Sequence, residues 1–279
     1  MAGSMDGDAR PACMWCERSS KTCRACGERV CPKHASAANG CCVPCLEAIQ
    51  EAVREGRCTD QLEEEAIEQL GGPEAAVYGE ITPLGFRAMA RRLGLSATDA
   101  FADLGSGLGR VVLQAVKEFN VRRSCGVEMA LSRHLLAEAL RDSDSEAAFA
   151  SRVRFINDDC AADAVWREHL DDTTVVYASN LLFGPELMER LARCLEGCAT
   201  VRVVASLKPF PSLAGFREEL PREMVETSWR APEEVQQAGA IEQPGSLMYI
   251  YRRVAVGIVA ASSPSCDAHV TSQAPAAPG

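Results

Sequence analysis

The chain has 279 residues, of which 47% are hydrophobic and 24% are charged, and its formal net charge is −10. This length is enough for one full α/β domain and a small additional module. The acidic balance excludes nucleic-acid binding through a general electrostatic field, and no strong nucleic-acid-binding patch is expected.

The first residues contain Asp6 and Asp8 and no apolar run, which predicts that no secretory signal is present. The apolar run from Val254 to Ala261 is too short to span a bilayer, so no membrane partner is expected. We therefore expect a soluble intracellular protein. In a reducing compartment its 14 cysteines are expected to be thiols and metal ligands rather than disulfides.

A cysteine-rich stretch, residues 13–46, follows an expected flexible leader over residues 1–12. It contains four ligand pairs with a spacing of two residues: Cys13 with Cys16, Cys23 with Cys26, Cys31 with His34, and Cys42 with Cys45. Two pairs make one tetrahedral zinc site, so the pattern predicts two zinc ions. The short spacing favours an interleaved arrangement, first pair with third and second with fourth, and Cys41 is an alternative to Cys42. So short a stretch has too little core to fold without metal.

The run from Cys23 to Cys31, C-R-A-C-G-E-R-V-C, resembles the middle of FYVE-type cross-brace zinc fingers. Members of that family that bind phosphoinositides carry a basic, histidine-rich patch immediately before this run. Here residues 19–22 read Ser-Ser-Lys-Thr instead. The resemblance therefore implies a structural or protein-docking module rather than a lipid-binding one.

A charged helical linker is expected over residues 47–72, and Gly71-Gly72-Pro73 ends it. Thr82 and Pro83 are typical of an N-cap and a first helical residue, and they predict a helix to Leu93 that Gly94 ends. Strands and helices then alternate. We expect strands at 100–104, 124–128, 152–156, 173–178 and 200–207, and helices at 110–119, 132–140 (with Ser132 as its cap), 161–170 and 185–195.

This alternation predicts an α/β fold with a doubly wound, mostly parallel sheet over residues 73–256. Two late β-rich runs, at 223–229 and 246–252, are expected to add an antiparallel pair and bring the sheet to seven strands. The tail at 257–279 is rich in Ser, Ala and Pro and is expected to be disordered.

The stretch from Ala100 to Arg110 reads A-F-A-D-L-G-S-G-L-G-R. A strand, a glycine turn and a helix in this order are typical of a nucleotide cradle, because glycine lets the backbone approach a ligand closely. A dinucleotide fingerprint spaces its glycines G-x-G-x-x-G, whereas here the third glycine comes one residue early and Arg110 stands in its place. The pattern D-x-G-x-G-x-G resembles motif I of the class I S-adenosylmethionine methyltransferases.

Acidic residues are expected at the ends of three successive strands, where ligands bind in a doubly wound sheet. Asp103 suits the amino-acid end of S-adenosylmethionine. Glu128 can accept hydrogen bonds from both ribose hydroxyls. A carboxylate in Asn157-Asp158-Asp159-Cys160 can take the adenine amino group. This ordered set predicts a methyltransferase cofactor site.

The fourth strand leads into Ser179-Asn180-Leu181-Leu182-Phe183-Gly184-Pro185. Methyltransferases that act on planar amines carry an Asn/Asp-Pro-Pro-aromatic loop at this place. This chain keeps the asparagine and the aromatic residue but has Leu181 and Leu182 for the prolines. The difference argues against a nucleobase or a glutamine as substrate.

Five short motifs, in order, resemble the disruptor-of-telomeric-silencing methyltransferases. They are V-Y-G-E-I-T-P at 77–83, D-L-G-S-G-x-G running into V-V-L-Q, G-V-E at 126–128, N-x-x-F-G-P at 180–185 and S-L-K-P-F at 206–210. These enzymes are non-SET proteins that methylate a lysine in the globular core of histone H3. The resemblance covers about residues 76–210, and more loosely extends to 252. It implies the class I fold, S-adenosylmethionine as cofactor, a protein substrate such as histone H3 in a nucleosome, and a nuclear location; without it the location would be cytoplasmic.

The resemblance also implies roles for particular residues. The segment from Tyr78 would fold over the cofactor, Asn180 would lie beside the transferred methyl group, and Phe183 and Phe210 would wall the lysine channel. The implied catalytic residues are Asn180, Tyr78 and Phe183. The implied cofactor-binding residues are Tyr78, Gly79, Glu80, Ile81, Asp103, Leu104, Gly105, Ser106, Gly107, Gly109, Glu128, Asp159, Cys160 and Asn180.

Two features depart from that family. Its members that act on nucleosomes use basic segments outside the fold, whereas residues 257–279 contain no Lys or Arg. Met248 stands where one of the paired aromatics of the last strand is expected, with Tyr249 and Tyr251 nearby. Two alternatives stay open: a class I methyltransferase that acts on another protein or a small molecule, and a zinc-finger adaptor with a non-catalytic methyltransferase fold.

Overall fold

The structure is a computed structural model, and it describes residues 12–13, 16–19, 21–23, 29–30, 43–55, 63, 67–68, 79–228 and 245–254. Within these ranges no helix is both long and apolar enough to cross a bilayer. The expected leader at 1–12 (but for Ala12) and the expected tail at 257–279 lie outside the described residues, as does Trp229 in the predicted late strand.

Short elements come first in the chain. Strand β1 (Ala12–Cys13) pairs with β2 (Cys16–Ser19), and β3 (Lys21–Thr22) pairs with β4 (Arg29–Val30); both pairs are antiparallel. Helix α1 (Val43–Arg54) follows and covers the first part of the predicted helical linker. Further along that linker, residues 63, 67 and 68 are helical.

Helix α2 (Pro83–Leu93) begins and ends as the sequence predicts. The Thr82 hydroxyl oxygen accepts a hydrogen bond from the Gly85 N–H at 3.0 Å, and Pro83 is the first helical residue. Gly94 ends the helix in the left-handed conformation, at φ +66°. Both the cap and the terminating glycine are confirmed.

The central sheet is built from eight strands: β5 (Ala100–Leu104), β6 (Arg123–Val127), β7 (Val153–Ile156), β8 (Val175–Ala178), β9 (Val203–Ser206), β10 (Phe216–Glu218), β11 (Glu223–Val225) and β12 (Ser246–Arg253). Seven of them follow the order β10-β12-β9-β8-β5-β6-β7, and β11 pairs with β12 off this path. Strands β5 to β9 are parallel, and β12 runs antiparallel to its neighbours β9, β10 and β11. The predicted doubly wound, mostly parallel sheet is confirmed. The predicted count of seven strands is wrong, because β10 is an eighth strand that the sequence did not indicate.

Five helices connect the strands: α3 (Arg110–Phe119), α4 (Leu131–Asp142), α5 (Ala147–Ala150), α6 (Asp163–His169) and α7 (Pro185–Gly197). One apolar layer packs α2, α3 and α5 on one face of the sheet, and a second packs α6 and α7 on the other. Along β5, Phe101 belongs to the first layer, whereas Ala102 and Leu104 belong to the second. Because both faces are covered, β5 is buried throughout its length.

The predicted cap of α4 is wrong. The helix begins at Leu131, one residue before Ser132, and its preceding residue Ala130 makes no side-chain capping bond. The acceptor at this helix start is instead the Glu63 carboxylate, which receives hydrogen bonds from the Leu131 and Ser132 N–H groups. A cap supplied from 68 residues upstream leaves no local pattern in the sequence.

Candidate functional site

The glycine turn after β5 has the backbone conformation that its sequence predicts. Gly105, Gly107 and Gly109 have φ values of +81°, +53° and +73°, where residues with a Cβ are strained. The N–H groups of Gly105 and Ser106 both donate to the Val127 carbonyl oxygen, at 2.9 and 3.0 Å. The turn is thereby held across the end of β6.

Two glycines are also needed for space. A Cβ at Gly109 would lie 2.4 Å from the Phe155 ring, and a Cβ at Gly126 would lie 2.6 Å from the Ser106 hydroxyl oxygen. Neither distance is possible between real atoms. Gly126, near the end of β6, therefore lets the turn lie directly on the sheet.

Asp103 is the last residue but one of β5 and is 3% exposed. Within the described part of the chain its Oδ1 atom has no hydrogen-bond partner. Burial, together with the Glu128 and Glu80 carboxylates, raises the pKa of Asp103 well above its usual range. A buried carboxylate of this kind suits a cationic ligand group.

Asp103 opens onto a small cleft at the carboxyl edge of the sheet. The cleft is bounded by the glycine turn, by the segment before α2 and by the end of β8. Its lining residues are Gly79, Glu80, Ile81, Asp103, Gly105, Ser106, Gly107, Arg110, Val111, Tyr177 and Ser179. The cleft lies where doubly wound sheets bind their ligands, outside the carboxyl ends of the strands.

Glu128 follows β6 and is buried beside the turn. Its Oε2 accepts from the Gly107 N–H and its Oε1 from the Ala130 N–H, each at 2.8 Å. Burial raises the pKa of Glu128, whereas these two N–H groups and the nearby Arg133 favour its charged form. The carboxylate is thus held in one orientation at the end of its strand.

Asp159 and Cys160 follow β7. The Asp159 carboxylate accepts from the Ala161 N–H at 2.9 Å through one oxygen and pairs with Arg190 of α7 through the other. Cys160 is buried, and its carbonyl oxygen accepts from the Trp166 indole N–H at 2.8 Å. These contacts fix the loop at the third strand end.

The segment before α2 is fastened to the end of β11. Glu80 and Ser228 exchange two hydrogen bonds, at 2.9 and 2.7 Å, and Ile81 forms an isolated bridge with Thr227. The Glu80 carboxylate pairs with Arg110 across the cleft at 2.7 Å. Tyr78, predicted as a cofactor and catalytic residue, lies outside the described residues. Leu104 is described, and its side chain packs in the core below the cleft.

Asn180 is fully buried and does not line the cleft. Its Oδ1 accepts from the N–H groups of Leu207 and Lys208, each at 2.9 Å. Its Nδ2 donates to the Lys208 carbonyl oxygen and approaches the Met188 sulfur, each at 3.2 Å. The amide therefore ties the loop after β8 to the loop after β9. Its expected place beside a transferred methyl group stays a prediction, and these contacts favour a positioning role instead.

Ser179 and Tyr177 line the cleft, and sequence reasoning did not single them out. Successive residues of a strand point to opposite faces, and along β8 Tyr177 belongs to the first apolar layer whereas Ala178 belongs to the second. This period-two pattern was available in the sequence. The family resemblance implied Asn180 instead.

Phe183 joins the two sides of the site. A Cβ at Gly105 would lie 3.0 Å from the Phe183 ring, so the ring packs against the glycine turn. The Phe183 carbonyl oxygen accepts from the Lys208 ammonium at 2.7 Å. Phe210, predicted as a second wall of the channel, is buried and packs edge-to-face on Tyr251 with ring centroids 5.8 Å apart.

The predicted zinc ligands are described only in part. Cys13 and Cys16 are opposite each other in the hairpin of β1 and β2. Cys23 and Cys45 have described side chains, and both belong to the apolar cluster around Ile49. The predicted ligands Cys26, Cys31, His34 and Cys42, and the alternative Cys41, lie outside the described residues. In the part that is described, no group of three or more possible ligands occurs.

Comparison with protein families identifies the relatives of this arrangement. The model of the histone methylation protein DOT1 matches residues 63–223, more than half of the chain. The chain belongs to the DOT1 family. The family resemblance seen in the sequence motifs is thereby confirmed, and the matched residues contain the glycine turn, the three acidic strand ends and the loop after β8.

Several curated relatives of this DOT1-family chain are named as histone-lysine N-methyltransferases specific for H3 lysine-79. The one from Drosophila melanogaster is 33% identical over 139 residues, which are 47% of this chain and 7% of that protein. The one from Emericella nidulans is 32% identical over 148 residues, which are 48% of this chain and 28% of that protein. The chain thus spans less than a third of the length of each of these relatives.

Solved structures similar to this DOT1-family chain include an RNA methyltransferase from Salinibacter ruber in complex with S-adenosyl-L-homocysteine. It is 21% identical, has a TM-score of 0.38, and the match covers 60% of this chain and 88% of that chain.

Proposed function

We propose that the chain is an S-adenosylmethionine-dependent protein lysine N-methyltransferase that acts on a lysine in the globular core of histone H3. The observation that carries the proposal is the convergence of Asp103, Glu128 and Asp159 on one edge of the sheet, around a glycine turn, in a chain of the DOT1 family. The names of the curated relatives support H3 lysine-79 as the target. A nuclear location follows from a histone substrate.

The residues of the cleft fit the cofactor chemically. S-adenosylmethionine supplies an electrophilic methyl group on a sulfonium cation. The Oδ1 atom of Asp103, which lacks a hydrogen-bond partner in the described part of the chain, suits the ammonium group of its amino-acid end. Glu128 suits the ribose hydroxyls, since each of its oxygens retains a second lone pair, and Asp159 with Cys160 suits the adenine.

On the acceptor side, the reaction needs positioning and a neutral amine rather than an acid–base pair. A lysine that enters a narrow, partly apolar channel next to a cation has its pKa lowered by desolvation and by like charge. Ser179 faces the cleft and is the polar side chain that we assign to this end. Phe183 packs beside it against Gly105 and walls the channel, while Asn180 fixes the loop that carries both residues.

One observation favours a second candidate, a methyltransferase of the same fold with a substrate other than the nucleosome. Residues 257–279 contain no Lys or Arg, and the whole chain is acidic, so the basic segments that grip nucleosomal DNA are lacking in this sequence. A non-histone protein or a small molecule would then be the acceptor.

The deciding experiment is methyl transfer from labelled S-adenosylmethionine to nucleosomes and to free H3. Each acceptor is tested as wild type and with H3 lysine-79 replaced by arginine. Label that is lost with the arginine substitution supports the proposal. Label on H3 that persists moves the target to another lysine, and label on neither acceptor favours the second candidate. A chain that also fails to bind S-adenosyl-L-homocysteine by calorimetry is the non-catalytic adaptor.

We further propose that residues 13–46 form a module with two zinc ions, followed by a linker at 47–72 and a methyltransferase domain at 73–256. Cys23 and Cys45 come from the second and fourth ligand pairs, and their place in one apolar cluster supports the interleaved arrangement. Metal analysis of the purified protein is expected to give two zinc ions per chain. A protein purified with zinc present that holds none would contradict this assignment.

A further inference from the structure

The turn between β6 and α4 is held by two carboxylates, of which only one belongs to the cleft. Glu128 accepts from the Ala130 N–H at 2.8 Å. The next two N–H groups, of Leu131 and Ser132, donate to Glu63. Three successive backbone N–H groups at this helix start are thus divided between Glu128, of the proposed ribose site, and Glu63. We call the part of the chain that contains Glu63, Ile67 and Glu68 the upstream segment.

Glu63 is buried as deeply as a core side chain, at 3% exposure. Its neighbour in the same segment, Ile67, packs on Ala130 and Met129 of this turn. From the other side of the turn, the Asn157 amide donates to the carbonyl oxygens of Glu128 and Met129, both at 2.9 Å. Glu63 and Ile67 therefore contact the turn from one side, and Asn157 contacts it from the other.

The division of donors matters because α4 has no cap of its own. The first N–H groups of a helix carry partial positive charge and need acceptors. Among the described residues, Glu128 already accepts from the adjacent Ala130 N–H, so without Glu63 its carboxylate is available to the Leu131 and Ser132 donors. A shift of Glu128 toward them would release its contact with Gly107, which lies on the glycine turn.

We propose that Glu63 is a positioning residue that keeps the Glu128 carboxylate on the cofactor side of this turn. The inference rests on the proposed function, since it gives Glu128 a ligand. It makes the segment around Glu63 and Ile67 part of the cofactor site although neither of these two residues lines the cleft. Cofactor binding and docking of the upstream segment are then coupled, and each strengthens the other.

The test is a double-mutant cycle read by calorimetric binding of S-adenosyl-L-homocysteine. Glu63→Gln keeps the size of the side chain and removes its charge, and we expect it to weaken binding about tenfold. In a Glu128→Gln background the same change is expected to alter binding by less than about twofold, because the Glu128 carboxylate through which Glu63 acts is no longer present. The control Glu47→Gln makes the same chemical change at an exposed residue of α1, and binding should stay within about twofold of wild type.

Equal losses from Glu63→Gln in both backgrounds would show a merely structural role and overturn the proposal. So would unchanged binding in Glu63→Gln, or an equal loss in Glu47→Gln. Wild-type protein that binds no S-adenosyl-L-homocysteine would instead contradict the proposed function.

Hydrogen exchange in the wild-type protein keeps the inference testable if Glu63→Gln does not fold. Bound S-adenosyl-L-homocysteine is expected to slow exchange at the Leu131 and Ser132 amides, and unaltered exchange there would overturn the coupling. If no ligand binds, the amides of the free protein still test the cap, because exchange at Leu131 as fast as in an open helix end would contradict it.

Discussion

Asp103 of β5 and Asn180, which follows β8, are equally buried but differ in how their polar atoms are hydrogen-bonded. On the donor side, at the end of β5 and in the turn after it, Asp103 Oδ1 and Ser106 Oγ are buried without hydrogen-bond partners among the described residues. On the acceptor side, after β8, the Asn180 amide places both its oxygen and its nitrogen on protein partners. A buried polar atom without a partner costs about 1–3 kcal/mol.

The difference separates two kinds of functional residue. Unpartnered atoms are tolerated where a ligand is to supply the partner, so Asp103 carries a cost in the free protein that binding would remove. Polar atoms that are hydrogen-bonded within the protein instead hold a loop in one conformation, as the Asn180 amide does for the loops after β8 and β9. Binding residues and positioning residues can therefore be told apart by their hydrogen bonds, even where both are equally buried.

The largest expected effect is a loss of stability when the hydrogen-bonded Asn180 amide is removed. Asn180→Ala removes the acceptor for the Leu207 and Lys208 N–H groups and leaves them buried. We expect the free energy of unfolding to fall by about 2–4 kcal/mol, measured by urea denaturation. The donor side lies across the cleft, so binding of S-adenosyl-L-homocysteine is expected to survive in the folded fraction.

Ser179→Ala is the matched control on the same loop. Because Ser179 faces the cleft, we expect its free energy of unfolding to stay within about 0.5 kcal/mol of wild type while methyl transfer is impaired. An Asn180→Ala protein as stable as the Ser179→Ala protein would show that the amide is not the tie between the two loops.

The second effect is a loss of ligand binding when the charge of Asp103 is removed. Asp103→Asn removes the charge that suits the ligand ammonium, and a hydrogen bond to a charged group contributes about 1.5–3 kcal/mol. Binding of S-adenosyl-L-homocysteine is therefore expected to weaken about 10- to 100-fold in calorimetry. The ligand-free variant should nevertheless be more stable than wild type at neutral pH, since an uncompensated buried charge is gone.

An exposed carboxylate, Asp142, provides the comparison for that variant. Asp142→Asn makes the same chemical change on the surface at the end of α4, and both binding and stability should stay near wild type. If Asp103→Asn bound the ligand as tightly as wild type, the unpartnered oxygen would not mark the ammonium site.

Much of the donor side could be predicted from the sequence because its determinants are local. The bounds of β5 and α3 agree with the predicted ones, and the left-handed glycines follow directly from the spacing of the turn. The cap and end of α2 were equally local, with Thr82, Pro83 and Gly94 adjacent to the helix.

The parts that sequence reasoning missed depend on contacts between distant residues. Glu63 caps a helix that begins 68 residues later, and Ser228 fastens a segment that precedes the first sheet strand. Asn180 follows β8 in a motif that suggested a catalytic residue. Its hydrogen bonds to the loop after β9 instead favour a residue that positions the two loops. A motif identifies the residues of a site, and only the fold assigns each of them to the ligand or to the scaffold.

The third effect is a pH dependence that isolates the Asp103 carboxyl. Its pKa in the folded protein is raised above the ordinary value of 3.8, so between these two values the folded state binds more protons than the unfolded state. The free energy of unfolding then falls as pH rises through this window, by at most about 1.4 kcal/mol per pH unit for one group. Carboxylates with a lowered pKa, such as Asp99, act in the opposite direction.

The difference between wild type and Asp103→Asn cancels those other carboxylates, because both proteins contain them. We expect the wild type to lose stability relative to the variant as pH is raised from 4 to 7 in urea denaturation. With saturating S-adenosyl-L-homocysteine the ligand ammonium favours the charged carboxylate, so the relative loss should shrink or reverse. A difference that stays flat with pH in the free protein would mean that Asp103 is compensated there, and the contrast between Asp103 and Asn180 would fail.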